Sequence, residues 1–156
     1  MDLLVFEGID GCGKTFLCKK LAKQNNWVYL KTPPSKGKCR TEEEELSRYE
    51  KGLLLNAKTI KEELSKGKTV ICDRYFGTYL VDCALLGVKP KLSGKELPLP
   101  TKTIHLVASW KTIKKRLKKK RNLSSLEKKL INDEKVYNLV LSEFRKLGYE
   151  EMENEG

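Results

Sequence analysis

The chain lacks any apolar run near the ~18 residues that a membrane-spanning helix needs, so no transmembrane segment is expected. It opens Met1-Asp2-Leu3-Leu4-Val5-Phe6-Glu7, with no positive stretch leading into a long apolar one, so no secretory signal is expected either. Histidine is nearly absent, with His105 the single one. The five cysteines, at 12, 18, 39, 72 and 83, form no CxxC pair, which argues against a structural zinc site. Their odd number argues against a disulfide framework and points to a reducing, cytoplasmic compartment with free thiols. What remains is a single domain's worth of chain: 156 residues, 39% hydrophobic and 34% charged, enough for one core. Thirty-two basic residues against 21 acidic give +11, a balance that favours anionic partners such as nucleotides, nucleic acid or an acidic surface.

Apolar periodicity predicts strands at 2–7, 27–30, 69–72, 103–107 and, shorter, 149–152. Helices are expected from near Gly13, from the Thr41–Glu44 capping box to Gly67, and from Phe76 to Leu86. A further helix follows Ser109, and a last one starts from the Ser124–Glu127 capping box. That last helix carries Leu126, Leu130, Tyr137, Val140 or Leu141, and Phe144, and is closed by Gly148. Gly52 is a candidate kink; residues 35–40 and 88–101 read as loops. Strands alternating with helices predict a parallel sheet covered on both faces.

Gly8-Ile9-Asp10-Gly11-Cys12-Gly13-Lys14-Thr15 matches GxxxxGK[ST] in full, between a predicted strand and a predicted helix. A random chain of this length meets that pattern at only about the half-per-cent level. Glycines permit the backbone turns and close approaches that let loop N–H groups and a helix N-terminus face an anion. Lys14 is expected to reach the β- and γ-phosphates of a nucleotide and the Thr15 hydroxyl to ligate Mg²⁺. No Asn-Lys-x-Asp motif is present to read guanine, and no Asp-Glu pair closes a strand as in motor ATPases. Instead the third strand runs into Asp73-Arg74-Tyr75, where a carboxylate can hold Mg²⁺ through water and an Arg can grip phosphate bidentately.

At these residues the sequence resembles the thymidylate kinase family. The opening Phe6-Glu7-Gly8-Ile9-Asp10-Gly11-Cys12-Gly13-Lys14-Thr15 is close to that family's own, and Gly67 to Tyr75 is similar to its third strand and DRY motif. Thr103-Ile104-His105-Leu106 with Arg116 and Arg121 resembles its fourth strand and lid. The resemblance runs nearly end to end. It implies one P-loop kinase domain over 1–156 with a lid near 116–127, in a three-layer P-loop NTPase fold of about five parallel strands. It implies transfer of the ATP γ-phosphate to a nucleoside monophosphate, foremost dTMP to dTDP, often by a homodimer. By the same resemblance Lys14, Arg74 and Arg121 are catalytic, and residues 8–15 with Arg116 bind ATP. Asp10, Arg74 and Tyr75 then bind the acceptor, Asp10 at the sugar 3′-hydroxyl, and Thr15 and Asp73 serve Mg²⁺. The chain departs from the family pattern at Phe16, where a second hydroxyl residue is usual, and at Thr32-Pro33-Pro34, where Glu-Pro is usual. A base-reading Arg has no clean counterpart, Arg48 and Lys58 being out of register.

Lys111 to Arg121 holds eight cations in eleven residues. With Trp110, Ile113 and Leu117 on the buried side, most of these lysines read as a solvated helix face. Gly11 stands where one class of the family has an Arg; the class without it uses a basic lid, which fits Arg121. The run also allows weak, non-specific nucleic-acid binding, although no aromatic residues interleave it. Two alternatives stay open: a kinase for another small acceptor such as a nucleoside, and a non-catalytic P-loop protein that binds ATP and nucleic acid. His105 is expected in the core, and Cys12 as a small filler in the loop.

Overall fold

In the computed structural model, which describes residues 1–34, 37 and 39–156, eleven elements follow in chain order. They are β1 (Leu3–Glu7), α1 (Lys14–Asn25), β2 (Val28–Lys31), α2 (Glu42–Ser65), β3 (Val70–Asp73), α3 (Phe76–Leu86), β4 (Lys102–Val107), α4 (Trp110–Leu117), α5 (Ser125–Asn132), α6 (Glu134–Arg145) and β5 (Glu150–Glu153). Of the loop expected over 35–40, positions 35, 36 and 38 lie outside the described residues. The five strands form one sheet in the order β2-β3-β1-β4-β5, every pair parallel. Among the described residues, no helix is long and apolar enough to cross a membrane.

The inner strands β1 and β3 are short and largely apolar because helices cover both faces of the sheet there, whereas the edge strand β5 is charged and exposed. Phe6 and Ile71 pack on Cys18 and Ala22 of α1. Leu3, Val5, Val70 and Cys72 point the other way, against Leu53 and Ile60 of α2 and Tyr79 of α3. A third cluster joins Leu106 to Ile113, Leu117, Leu130, Val140 and Phe144, and so fixes α4, α5 and α6. Each of the Val, Leu, Ile and Phe side chains among these contributes about 1.5–3 kcal/mol by leaving water.

Three local readings change. The last helix is two, because Asp133 is extended (φ −141°, ψ 112°) and its side chain accepts from the Lys135 N–H, capping α6. Gly52 does not interrupt α2; a Cβ there would lie 3.0–3.1 Å from Pro33 and Pro34, so the glycine admits the chain that leaves β2. At Thr41 the cap is one-sided: its hydroxyl accepts from the Glu44 N–H, but the Glu44 carboxylate accepts from Arg40 N–H. The Ser124–Glu127 capping box is reciprocal, as expected. His105 is buried and stacks on Phe144 at 5.3 Å between centroids, a core residue whose pKa burial holds below the ordinary value.

β1 lies between β3 and β4, so the chain leaving its carboxyl end meets a crevice at a topological switch point. Phe6 is in register with Asp73, and the Arg74 N–H continues the ladder to the Phe6 carbonyl at 3.0 Å. The two sequence motifs therefore open at one edge of the sheet.

Candidate active site

Residues 8–15 turn tightly from β1 into α1. Gly8 (φ +146°) admits the backbone of β4: a Cβ there would sit 2.4 Å from the Leu106 carbonyl oxygen. Gly13 (φ +94°) is the left-handed residue that starts α1. Lys14 is 5% exposed, and its ammonium spans the loop, donating to the carbonyls of Gly8 (2.7 Å) and Ile9 (2.9 Å). Cys12 is fully buried, as a filler should be.

Asp73 ends β3 beside this loop. One carboxylate oxygen, Oδ2, accepts from the Thr15 hydroxyl and from the Tyr29 hydroxyl, the latter at 3.0 Å. The other, Oδ1, is buried with no hydrogen-bond partner. Burial first, and then the charge of Asp73, raise the Tyr29 phenol above its ordinary pKa, so it stays a donor. Lys31 at the end of β2 reaches Thr15 Oγ1 at 3.5 Å, and Asn56 of α2 holds that strand end by donating to the Lys31 carbonyl at 2.9 Å.

Arg74 turns the other way. Its φ of +72° is unusual for a residue with a Cβ and costs of order 1–2 kcal/mol, so the neighbouring structure must hold it. Its guanidinium pairs with Asp10 and donates to the Gly8 carbonyl (3.2 Å) and Thr78 Oγ1 (3.3 Å). Burial works against the Asp10 charge, yet Arg74, with Lys14, Lys120 and Lys31, holds its carboxyl below the usual range. Underneath, the fully buried Glu7 accepts from the Tyr75 N–H (2.9 Å) and the Thr78 hydroxyl (2.5 Å). Burial pushes the Glu7 carboxyl up, against the Thr78 bond and the charge of Arg74.

The resulting cleft, about 380 Å³, is lined by the cations Lys14, Lys31, Arg74, Arg116, Lys119 and Lys120 and the carboxylates Asp10, Asp73 and Glu127. Six positive groups against three negative suit a polyphosphate. The thymidylate kinase family model matches residues 6–154. The chain belongs to the thymidylate kinase family. A probable thymidylate kinase of Methanocaldococcus jannaschii is 32% identical over 173 residues, covering 97% of this chain and 92% of that protein. Among solved structures, Candida albicans thymidylate kinase matches with TM-score 0.69 at 15% identity, over 97% of this chain and 83% of its own. The Ehrlichia chaffeensis thymidylate kinase gives 0.65 at 20%, over 97% and 85%. Deoxyadenosine kinase from M. mycoides, solved with dATP, gives 0.64 at 16%, over 97% and 89%. These three share the P-loop kinase fold.

As a thymidylate kinase family member the protein is a nucleoside monophosphate kinase with ATP as phosphate donor. Of the expected site residues, Asp10, Gly11, Gly13, Lys14, Thr15, Asp73, Arg74 and Arg116 come together at the cleft. Gly8, Ile9 and Cys12 form the loop behind it. Tyr75 is not at the cleft: it is buried, donates to the Pro98 carbonyl at 2.8 Å, and lines a separate cavity with Val5 and Glu7. Its backbone, held by Glu7 and by the Tyr49 hydroxyl (2.7 Å), fixes Arg74 instead. Arg121 is exposed on the bend between α4 and α5 and does not line the cleft, whereas its neighbours Lys119 and Lys120 do. Lys120 pairs with Glu127 at 2.6 Å. Phe16, where the family usually has a hydroxyl, is 76% exposed at the cleft.

Sequence reading missed Glu7, Tyr29, Lys31 and Asn154. Lys31 had a signal, since it closes a strand just before Pro33-Pro34. Tyr29 and Asn154 had none, because their partners are 44 and 142 residues away.

Proposed function

We propose that this chain transfers the γ-phosphoryl group of ATP to the 5′-phosphate of dTMP, forming dTDP, with the site residues in the following roles. Arg74 holds the acceptor phosphate, Asp10 the sugar 3′-hydroxyl, and Lys14 the β- and γ-phosphates. An acceptor phosphate oxygen bonds to the γ-phosphorus as the bond to the β–γ bridging oxygen breaks, and ADP leaves with that electron pair. The observation that carries this reading is the divergence of two consecutive residues. Asp73 turns to Thr15 of the phosphate loop, and Arg74 turns to Asp10, which supports a donor and an acceptor phosphate site side by side in one cleft.

Thr15 and Asp73 fit Mg²⁺. They are hard oxygen donors, and Asp73 Oδ1 is buried and unpartnered beside them. Among the described residues, no cluster of three or more His, Cys, Asp or Glu could hold a metal alone. That accords with an ion held largely by nucleotide phosphates, which neutralises charge on them when bound. The Tyr29 and Thr15 hydroxyls orient the Asp73 carboxylate, and Lys14 and Arg116 supply fixed positive charge. Arg121, on the 116–127 lid, adds charge to the transferring group when the connection closes over ATP.

Leu54 and Leu55 of α2 are 41% and 56% exposed, an apolar pair suited to pairing with a second copy; sedimentation velocity would test the dimer. Lys111, Lys115, Lys118, Lys119 and Arg121 are exposed, which supports only weak, salt-dependent nucleic-acid binding. Five free thiols accord with a reducing cytoplasm.

A panel of nucleoside monophosphates and free nucleosides with Mg-ATP tests the function. dTMP should give the highest kcat/KM. A purine monophosphate or a nucleoside as best acceptor would overturn the assignment while leaving the fold untouched.

A further inference from the structure

Beyond β5 the chain turns back onto the phosphate loop. The Asn154 N–H donates to the Val107 carbonyl at 2.8 Å, extending the pairing of β5 with β4. Its side-chain Nδ2 donates to the Cys12 carbonyl at 2.9 Å. Its own carbonyl accepts from Arg116 at 2.8 Å, and the same guanidinium donates to the Gly11 carbonyl at 3.1 Å. A Cβ on Gly13 would stand 2.4 Å from Asn154 Nδ2, so the asparagine occupies the space against which that glycine is packed. The next residue, Glu155, accepts from the Ser109 N–H and hydroxyl and from the Thr112 hydroxyl, which pins this tail to the start of α4.

We propose that Asn154 is a positioning residue for ATP: it locks residues 11–13 of the phosphate loop and Arg116 into one preorganised anion cradle. The proposal rests on the nucleotide reading above. A trans peptide points its C=O and the following N–H in opposite directions. Holding the Cys12 carbonyl on the tail side therefore turns the Gly13 N–H away from the tail, as a donor to phosphate. The same residue's backbone carbonyl orients the fork of Arg116. One residue thus ties together the loop, through its side chain, and the start of the lid and the C-terminal strand, through its backbone. Without it, the loop must be ordered at the expense of nucleotide binding.

Steady-state kinetics on Asn154→Ala and Asn154→Asp, beside Lys14→Ala, test this, with thermal melts as the check on folding. The alanine variant should raise the ATP KM about tenfold, the equivalent of one well-placed hydrogen bond, with the dTMP KM unchanged. The aspartate variant keeps the shape but sets an acceptor against the Cys12 carbonyl and a negative charge near the phosphates, so its ATP KM should rise further. A residue that merely docked the tail would lower Tm and leave the ATP KM within twofold, which overturns the proposal. In that case an inactive Lys14→Ala shows that the nucleotide reading stands without it. A Lys14→Ala protein that turns over normally overturns both.

Discussion

Replacing Tyr29 by Phe removes one hydroxyl and leaves the ring, over which the Lys19 ammonium sits at 5.6 Å from the centroid. The lost bond is the 3.0 Å donation to Asp73 Oδ2. Hydrogen bonds to charged groups contribute about 1.5–3 kcal/mol, and the partial exposure of Tyr29 puts this one near the lower figure. At ~1.5 kcal/mol, a domain of this size should lose about 3–6 °C in Tm. The larger consequence concerns Mg²⁺. Thr15 then remains the sole hydroxyl on Oδ2, and the carboxylate gains freedom to swing Oδ1 out of position. Partners that orient a ligand typically matter 10–100-fold in metal affinity; with Thr15 retained, we expect about tenfold. Two assays read it: the free Mg²⁺ giving half-maximal rate at saturating ATP and dTMP, and Mn²⁺ binding by EPR in the ATP complex. A normal metal requirement, within twofold of the parent, alongside the lower Tm would refute the reasoning and reduce Tyr29 to a packing residue.

Asp82 follows Thr78 by one turn of α3, and burial, reinforced by Asp10, Glu7 and Glu45 and opposed by Arg74, pushes its carboxyl up to about 7 from 3.8. The folded chain then binds more protons than the unfolded one between those values, so this contribution to stability is complete below pH ~4 and lost as pH rises through ~7. Three units correspond to about 4 kcal/mol, and partial exposure roughly halves it, so Asp82→Asn should stabilise by about 2 kcal/mol at pH 8 and little at pH 4. A Tm difference that is flat across that range contradicts this. Arg121→Ala should lower kcat on the order of 10²–10³-fold with ATP binding nearly unchanged, as loss of one preorganised transition-state donor does. A loss no larger than that of Lys111→Ala would instead assign the lid charge to Lys119 and Lys120, which already line the cleft.

The parts of the fold that local chemistry dictates were legible in the sequence. β1, β3 and β4 read as apolar runs, and Ser109, Ser124 and Thr41 announced the helices they cap. The phosphate loop and Asp73-Arg74 were legible because glycine spacing and strand-end placement are local. The break at Asp133 was hidden because Leu126 to Phe144 keeps a nearly helical period across it, and a single side-chain cap decides the matter. Gly52 read as a kink because sequence shows a glycine's freedom but not the prolines packed against it. At the site, Tyr75 followed from its motif, yet burial against Pro98 takes its ring to the other cavity. Arg121 and Lys120 are indistinguishable within a basic run; only the turn after α4 decides which of them lines the cleft. Glu7 is the instructive omission. A carboxylate that ends a buried strand looks like a strand's polar stop, and its role beneath Arg74 emerges only when α3 supplies Thr78.

The most direct test of the central claim is transfer of label from γ-labelled ATP to dTMP by purified protein with Mg²⁺, run in parallel with Lys14→Ala. Lys14 joins the two halves of the phosphate loop through the Gly8 and Ile9 carbonyls and lines the cleft with its charge, so its loss should remove phosphoryl transfer and leave the fold. The account predicts labelled dTDP from the parent and none from a Lys14→Ala protein that melts cooperatively. Absence of labelled dTDP from the parent, or equal labelling by both proteins, would contradict it.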